Sequence, residues 1–360
     1  MIGVARLTRW QRGDRASFAF LLPVAALLAA LLVGLGLIGL TGVPVREAVA
    51  AFWDGIAGSD YALVGSLNRG VPLTLIGLGF ILADRANLTN VGGEGQICVG
   101  GIFATAAALQ GHAEVLPGPL AFLYPLFVGS LAGAAWGALA GVLKVKRGSN
   151  EVITTLLLTF IALEMVYGSV QSEHLLRQPV TDSSTLPESL ELAEPTQLPL
   201  LLATAGLPLH IGVLVALLMA VLVGLCLSKS AVGLRLRAVG LNELASRRAG
   251  LSVERLVVGV MAASGGLGGM AGAIMIQGDQ HYLTSGFSSG FGFDGLVVGL
   301  LARGSAPAVL LFALLFGCLR SGGMAMEMTA KVPSAVVVIC QGLMVITIAA
   351  SAALARPQRK

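Results

Sequence analysis

Two acidic residues set among glycines are the features of this chain best placed to do chemistry. Glu94 stands in TNVGGEGQICVGG (residues 89–101) and Asp294 in SGFGFDGLVVGLL (residues 289–301), each followed by a glycine and a short apolar run. An ionisable group at membrane depth is costly unless it faces protein, water or a partner. Irregular backbone is tolerated there only where it is buried in protein or lines a cavity. The two acidic-glycine stretches therefore predict breaks in membrane helices. Asn90 and Gln96 flank the first break and could hydrogen-bond a hydroxyl or a base edge, while Phe291, before Asp294, could stack on a ring. Glu94, Gln96, Asn90, Phe291 and Asp294 are the candidate pathway residues. A structural role is the alternative for both acids, since a carboxylate in a first turn complements the positive end of the helix that follows. The two roles are compatible.

Other enzyme-like patterns fail their context. GLGLIG, with Gly34, Gly36 and Gly39, matches a dinucleotide-binding spacing but lies inside an apolar helix with no strand before it. LCLSKS, ending near Lys229, lacks the two glycines of a phosphate-binding loop, so the chain does not hydrolyse ATP unaided. GFSSG places Ser288 in a nucleophile-like setting, yet an intramembrane serine protease needs a histidine from another buried helix. His112, His174 and His210 fall near the outer ends of segments, and His281 shares the serine's loop. The four cysteines, Cys98, Cys226, Cys318 and Cys340, sit in apolar runs without CxxC spacing and read as packing residues, with neither disulfide nor metal.

The elements that must position the acids are membrane helices. The chain has 360 residues, 56% hydrophobic and 12% charged, with mean hydropathy +0.86, far above a soluble domain. Apolar runs are continuous and do not alternate, which predicts helices and excludes barrel strands. We place ten at residues 18–41, 65–83, 96–111, 119–143, 151–171, 208–227, 256–277, 291–302, 306–321 and 334–352. The first is longer than a signal-peptide core and lacks a small-residue cleavage site, so it reads as a membrane helix. The expected fold is all-α, a polytopic membrane helix bundle of about ten transmembrane segments. Two of these, 96–111 and 291–302, are short or re-entrant half-helices, and the opposed acidic breaks suggest an inverted repeat.

All but five of the 23 Lys and Arg fall on one side of this arrangement; the exceptions are Arg46, Arg69, Arg177, Arg320 and Lys331. The positive-inside rule then places residues 1–17 and 353–360 in the cytoplasm, as N-terminus and tail of a transmembrane domain over 18–352. The net charge of +4 follows from this topology and is no sign of nucleic-acid binding. An acidic, proline-rich stretch at 172–207 becomes an irregular extracytoplasmic loop, either a docking surface or a solvated connector. Glycines 129, 133, 137 and 141 recur every four residues, and Gly265, Gly268, Gly269 and Gly272 repeat the pattern, which predicts close helix contact.

The longest cytoplasmic loop, 228–255, carries a sharply bounded basic helix. Asn242 suits its N-cap, Glu243 the first turn, Arg247 and Arg248 the last, Gly250 a left-handed stop, and Ser252 the cap of the next helix. Such a helix could bind lipid headgroups, but its rigid start and stop favour docking onto a soluble subunit.

These stretches together resemble a known family. NLTNVGGEGQICVGG, GSNEVITTLLLTFIAL, GLRLRAVGLNELASRRAGLSVER, FSSGFGFDGLVVGLLARG and VPSAVVVICQGLM are similar to permease subunits of bacterial ABC importers in the branched-chain amino acid, ribose and simple-sugar group. Within it they look most like the nucleoside-type permeases. The likeness covers nearly all the chain after about Asn68. It implies a multi-pass protein of the bacterial cytoplasmic membrane that pairs with a second permease chain, a paralogue or a copy of itself. It further implies an ABC ATPase subunit carrying ATP and Mg, an extracytoplasmic substrate-binding protein, and no cofactor on this chain. Asn242, Glu243, Ala245, Arg247, Arg248 and Gly250 would form the coupling helix that receives the ATPase's motion. Where the family continues to an Asn-Pro turn, this chain has LLARGSAPAV, so the tip near Arg303 departs. A permease for a simple sugar such as ribose is the neighbouring alternative, and an ion-coupled secondary transporter is the rival from another class.

Overall fold

The computed structural model describes residues 32–333 apart from 111–112, 114 and 181–185, together with a few positions between 335 and 343. The N-terminus 1–17, the tail 353–360 and most of the first and last expected segments lie outside the described residues. The chain divides into two compact units, residues 1–63 with 319–360, and residues 64–318.

In the first unit, helix α1, described over Leu32–Leu40, turns through 117° into α2 (Val45–Ala57). Gly42 takes a positive φ of 79° at the turn, and Pro44, with φ fixed near −58°, leads into α2. Ile38, Ala48, Ala51, Met326 and Val332 make the core. No apolar segment was expected over 45–57. The small residues Ala48 and Ala51 hide the amphipathic face there, because they add little hydropathy while fitting a close contact.

The second unit holds the next eight expected segments and two helices of the 228–255 loop, except that residues 60–63 and 319–330, at the two ends of this run of helices, belong to the first unit. They appear as α3 (Asp60–Asp84), α4 (Gly93–Ala108), α5 (Leu120–Arg147), α6 (Glu151–Gln171), α7 (Gly212–Lys229), α8 (Ala231–Leu241), α9 (Glu243–Arg248), α10 (Val253–Ile274), α11 (Phe291–Ala302) and α12 (Ala306–Ala330). Among the described residues six helices are long and apolar enough to cross a membrane, or seven if α1 and α2 form one bent span. Helices α4 and α11 are the short ones, at 16 and 12 residues. The tip after α11 is a tight turn in which Arg303 and Gly304 both adopt positive φ, 50° and 80°.

The expectation of an all-α chain needs one correction. Leu207–His210 is a strand paired with Leu200–Leu202, so α7 starts at Gly212 rather than at residue 208. Gly206, at φ +68°, makes the turn, and Pro208 within the run suits an extended edge better than a helix interior. The loop before this hairpin is also more ordered than an irregular connector. Past α10 the backbone widens into a π-helix, Met275–Gln280. The loop pairs with it and the turn beyond: Leu198 donates to the Gln277 carbonyl (2.9 Å), Leu192 to His281 (2.8 Å) and Ser189 to Leu283 (3.0 Å). Leu192 and Leu198 are buried under it.

The centre of the second unit is a contact between backbones. A Cβ added to Gly133 or Gly137 of α5 would strike the Gly265 or Met261 carbonyls of α10, and one added to Gly100 of α4 would strike Gly269. Only hydrogen side chains allow α4, α5 and α10 to approach this far. Gly133→Leu should therefore lower stability by about 1–3 kcal/mol, whereas Gly168→Leu, whose site is open, should change it little. Thermal unfolding in detergent compares them, and equal shifts in the two variants would refute the contact.

Candidate functional site

The Glu94 carboxylate is 3% exposed. Its Oε1 accepts the Gly290 N–H at 2.9 Å and its Oε2 the Gly292 N–H at 2.6 Å. Gly290 is the N-cap of α11 and Glu94 lies in the first turn of α4, so the starts of two short helices meet. They touch through backbone, because a Cβ on Gly292 would overlap Glu94's own N and Cα. Each helix start carries partial positive charge and orphan N–H groups. One carboxylate between them offsets both. The local-cap expectation for Glu94 is thus extended: it stands in its own helix's first turn, but its hydrogen bonds go to a helix almost two hundred residues away. Asp294 is half-buried in the first turn of α11, where the dipole argument puts it.

Asn90 and Gln96 form a buried amide pair. Asn90 Nδ2 donates to Gln96 Oε1 (3.2 Å) and to Ser264 Oγ (2.8 Å), while Gln96 Nε2 donates back to Asn90 Oδ1 at 3.2 Å. Asn90 Oδ1 also accepts the Gly92 N–H at 2.9 Å, which shapes the entry to α4. From α6, Thr155 Oγ1 accepts the Val91 N–H (3.2 Å), and Gly95 lies against Thr159. Of the five candidates the structure pairs Asn90 with Gln96, and Glu94 with the start of α11 that carries the buried Phe291. Ser264, Thr155 and Thr159 were missed. Their only signal is a hydroxyl inside an apolar helix, which a bond to the preceding turn explains equally well. Ser288 is 1% exposed and its hydroxyl lies 3.6 Å from Cys98 Sγ, with no histidine hydrogen-bonded to it among the described residues.

In the 228–255 loop, Asn242 Oδ1 accepts the Ala245 N–H at 2.9 Å and starts α9. Gly250, at φ +83°, stops it, with the Leu251 N–H returning to the Ser246 carbonyl at 3.0 Å. Ser252 occupies the N-cap position of α10 but its side chain makes no capping bond, so that expected cap is positional only. Arg247 bridges Glu243 (3.0 Å) and Glu254 (3.2 Å), and hydrogen bonds to these carboxylates raise its pKa above the ordinary guanidinium value. Every residue of 241–250 except Ser246 is exposed, including Leu241 at 78% and Leu244 at 60%. Exposed leucines beside fixed charges suit a protein partner. Gly240, at the end of α8, lies directly on the backbone of the turn Arg85–Asn87, three residues before Asn90.

The chain matches the family described as branched-chain amino acid transport system / permease component over residues 62–349. It is 35% identical to a guanosine ABC transporter permease protein of Bacillus subtilis, covering 93% of this chain and 94% of that one. It is 34% identical to a glucose ABC transporter permease protein of Haloferax volcanii, covering 90% and 85%, and 30% identical to a nucleoside ABC transporter permease protein of Lactococcus lactis, covering 78% of each. No solved structure matches it significantly.

The junction of α4 and α11 makes a quantitative expectation. Glu94→Gln keeps one acceptor but turns an N–H toward the other donor, and Gly292→Ala forces the two backbones apart. Each should cost about 1–3 kcal/mol, and the double variant should lose less than the sum because both break one contact. Denaturant unfolding of the four proteins measures this, and strict additivity would mean that the two groups do not act together.

Proposed function

The chain belongs to the branched-chain amino acid transport system permease family, and on that premise we propose that it carries nucleosides along a pathway passing the junction of α4 and α11. It is a transmembrane permease subunit of an ABC importer and not an enzyme; ATP hydrolysis lies on partner subunits. Importers of this family work with an ATPase and a substrate-binding protein. The observation that carries the nucleoside reading is the 35% identity to a guanosine permease over 93% of the chain, supported by the Lactococcus nucleoside permease. A simple-sugar cargo is the second reading, favoured by 34% identity to the glucose permease.

A nucleoside presents ring hydroxyls and a flat base. Asn90 and Gln96 offer two amides, each able to donate and accept, and Phe291 offers a ring face. Their mutual bonds would open when substrate replaces them. Glu94 and Asp294 hold the helix starts that carry these groups, and Asp294, the more exposed, faces the route more directly. Ten spans in an inverted repeat would follow from α4 and α11 being the broken helices of opposed halves, and their meeting start to start supports that symmetry. The distribution of Lys and Arg supports a bacterial cytoplasmic membrane with both termini inside.

For energy coupling, α9 would seat on the ATPase through Leu241, Leu244 and the Arg247 cluster, with a second permease, paralogue or self, completing the pair. Movement of α9 would pass through α8 to the Arg85–Asn87 turn at Gly240, and from there to Asn90. No solute enters this path, so it is a lever and not part of the pore.

Purification of the tagged complex should yield an ATPase and a second permease, and the reconstituted importer should take up guanosine in preference to glucose. Preferential glucose uptake would replace the nucleoside reading with the sugar one. Asp294→Asn and Phe291→Ala should cut guanosine uptake at least tenfold with the complex still assembled; unchanged uptake in both would remove them from the pathway. Asn242→Pro or Gly250→Val should leave ATP hydrolysis but disconnect it from uptake, and normal coupling in both would refute α9 as the docking helix.

A further inference from the structure

A cavity of about 570 Å3 lies between the cytoplasmic end of α7 and the start of α12. Ala220, Val221, Gly224 and Leu225 form its apolar wall on α7, Leu310 faces it from α12, and Arg85 reaches it from the end of α3. The arginine is unusual for its setting. Its Nη2 donates to the Leu227 carbonyl at 3.3 Å, while its Nε is buried without a partner. No carboxylate pairs with it among the described residues. A guanidinium beside apolar helices with one neutral acceptor is under-satisfied, and an anion is what its remaining donors suit.

Three further features lie at the same level. The start of the 25-residue helix α12 borders the cavity through Ser305, Ala306 and Pro307, and a helix start favours negative charge. Lys229 ends α7 and Arg303 ends α11, both on the side that the positive-inside rule makes cytoplasmic. The helix surfaces flanking the mouth are strongly apolar and exposed, with Leu218 at 57%, Leu222 at 48%, Leu311 at 66% and Leu314 at 43%. A water-soluble anion would gain nothing from such walls. A molecule with an anionic head and long hydrocarbon tails would satisfy both ends of the groove.

We propose that this groove binds one anionic phospholipid of the cytoplasmic leaflet, its phosphate on Arg85 and the start of α12, its acyl chains along α7. The headgroup then neutralises Arg85 where the protein supplies no carboxylate. Arg85 also belongs to the turn on which Gly240 rests, so the lipid would brace the lever between α9 and Asn90. Lipid binding itself rests on the groove alone and stands whichever solute the permease carries.

The test is native mass spectrometry of the purified complex after exchange into nanodiscs of phosphatidylglycerol and phosphatidylcholine. The wild-type complex should retain one phosphatidylglycerol per copy of this chain. Arg85→Gln should lose it, and Gly224→Leu should lose it too, since that side chain fills the groove without changing charge; the nearest atom to a Cβ there is 3.4 Å away, so the variant has room to fold. Arg255→Gln, a charge change outside the groove, should keep it. Retention in both groove variants, or equal loss in Arg255→Gln, would overturn the proposal. So would a photo-crosslinking residue at Leu225 that captures a protein chain instead of a lipid, because the groove would then be a seat for the partner permease.

Discussion

A carboxylate shared between two helix starts is stable at depth only if both starts are held against it. In this protein Glu94 accepts two backbone N–H groups of the 289–292 segment from within the first turn of α4. Neither helix could end where it does without the other. The positive ends of α4 and α11 would repel at contact distance, and their orphan donors would be buried without acceptors. The carboxylate between them resolves both costs, and the close approach requires glycine at 292, where a Cβ would overlap the Glu94 backbone, and at 93, where one would press on the Gly292 carbonyl.

Holding that junction is the task of the helices around it. The glycine faces of α5 and α10 bring backbones together on one side of α4, and Thr155 and Thr159 of α6 close the other. Ser264, on the same helix as the glycines, ties the Asn90–Gln96 pair to this frame. A rigid scaffold thus surrounds a small set of polar side chains whose bonds are to each other.

The two long loop regions differ in kind. The 186–210 loop is stitched by backbone bonds onto the π-helix after α10, where the widened turn and the segment beyond it leave carbonyls free to accept. The 228–255 loop instead folds into α8, which packs on the end of α7 at Gly233 and on the 85–87 turn at Gly240 with Leu236 and Val239 buried, and α9, whose surface is exposed and charged.

Much of this was legible from residue order. Membrane helices, the capped helix at 243–248, the short helices after each acid and the glycine faces all follow from local rules, since hydropathy, caps and four-residue spacing act within one element. Family membership followed likewise, from motifs that stay contiguous. The partner of Glu94 was not legible. The N–H groups that donate to it lie in a segment 196 positions away, and nothing in either segment encodes the distance between them. The α2 helix, the hairpin at 200–210 and the setting of Arg85, which no carboxylate pairs among the described residues, were hidden for the same reason. Their character depends on which surfaces are covered, and only the packing of distant segments decides what is covered and what is left facing lipid.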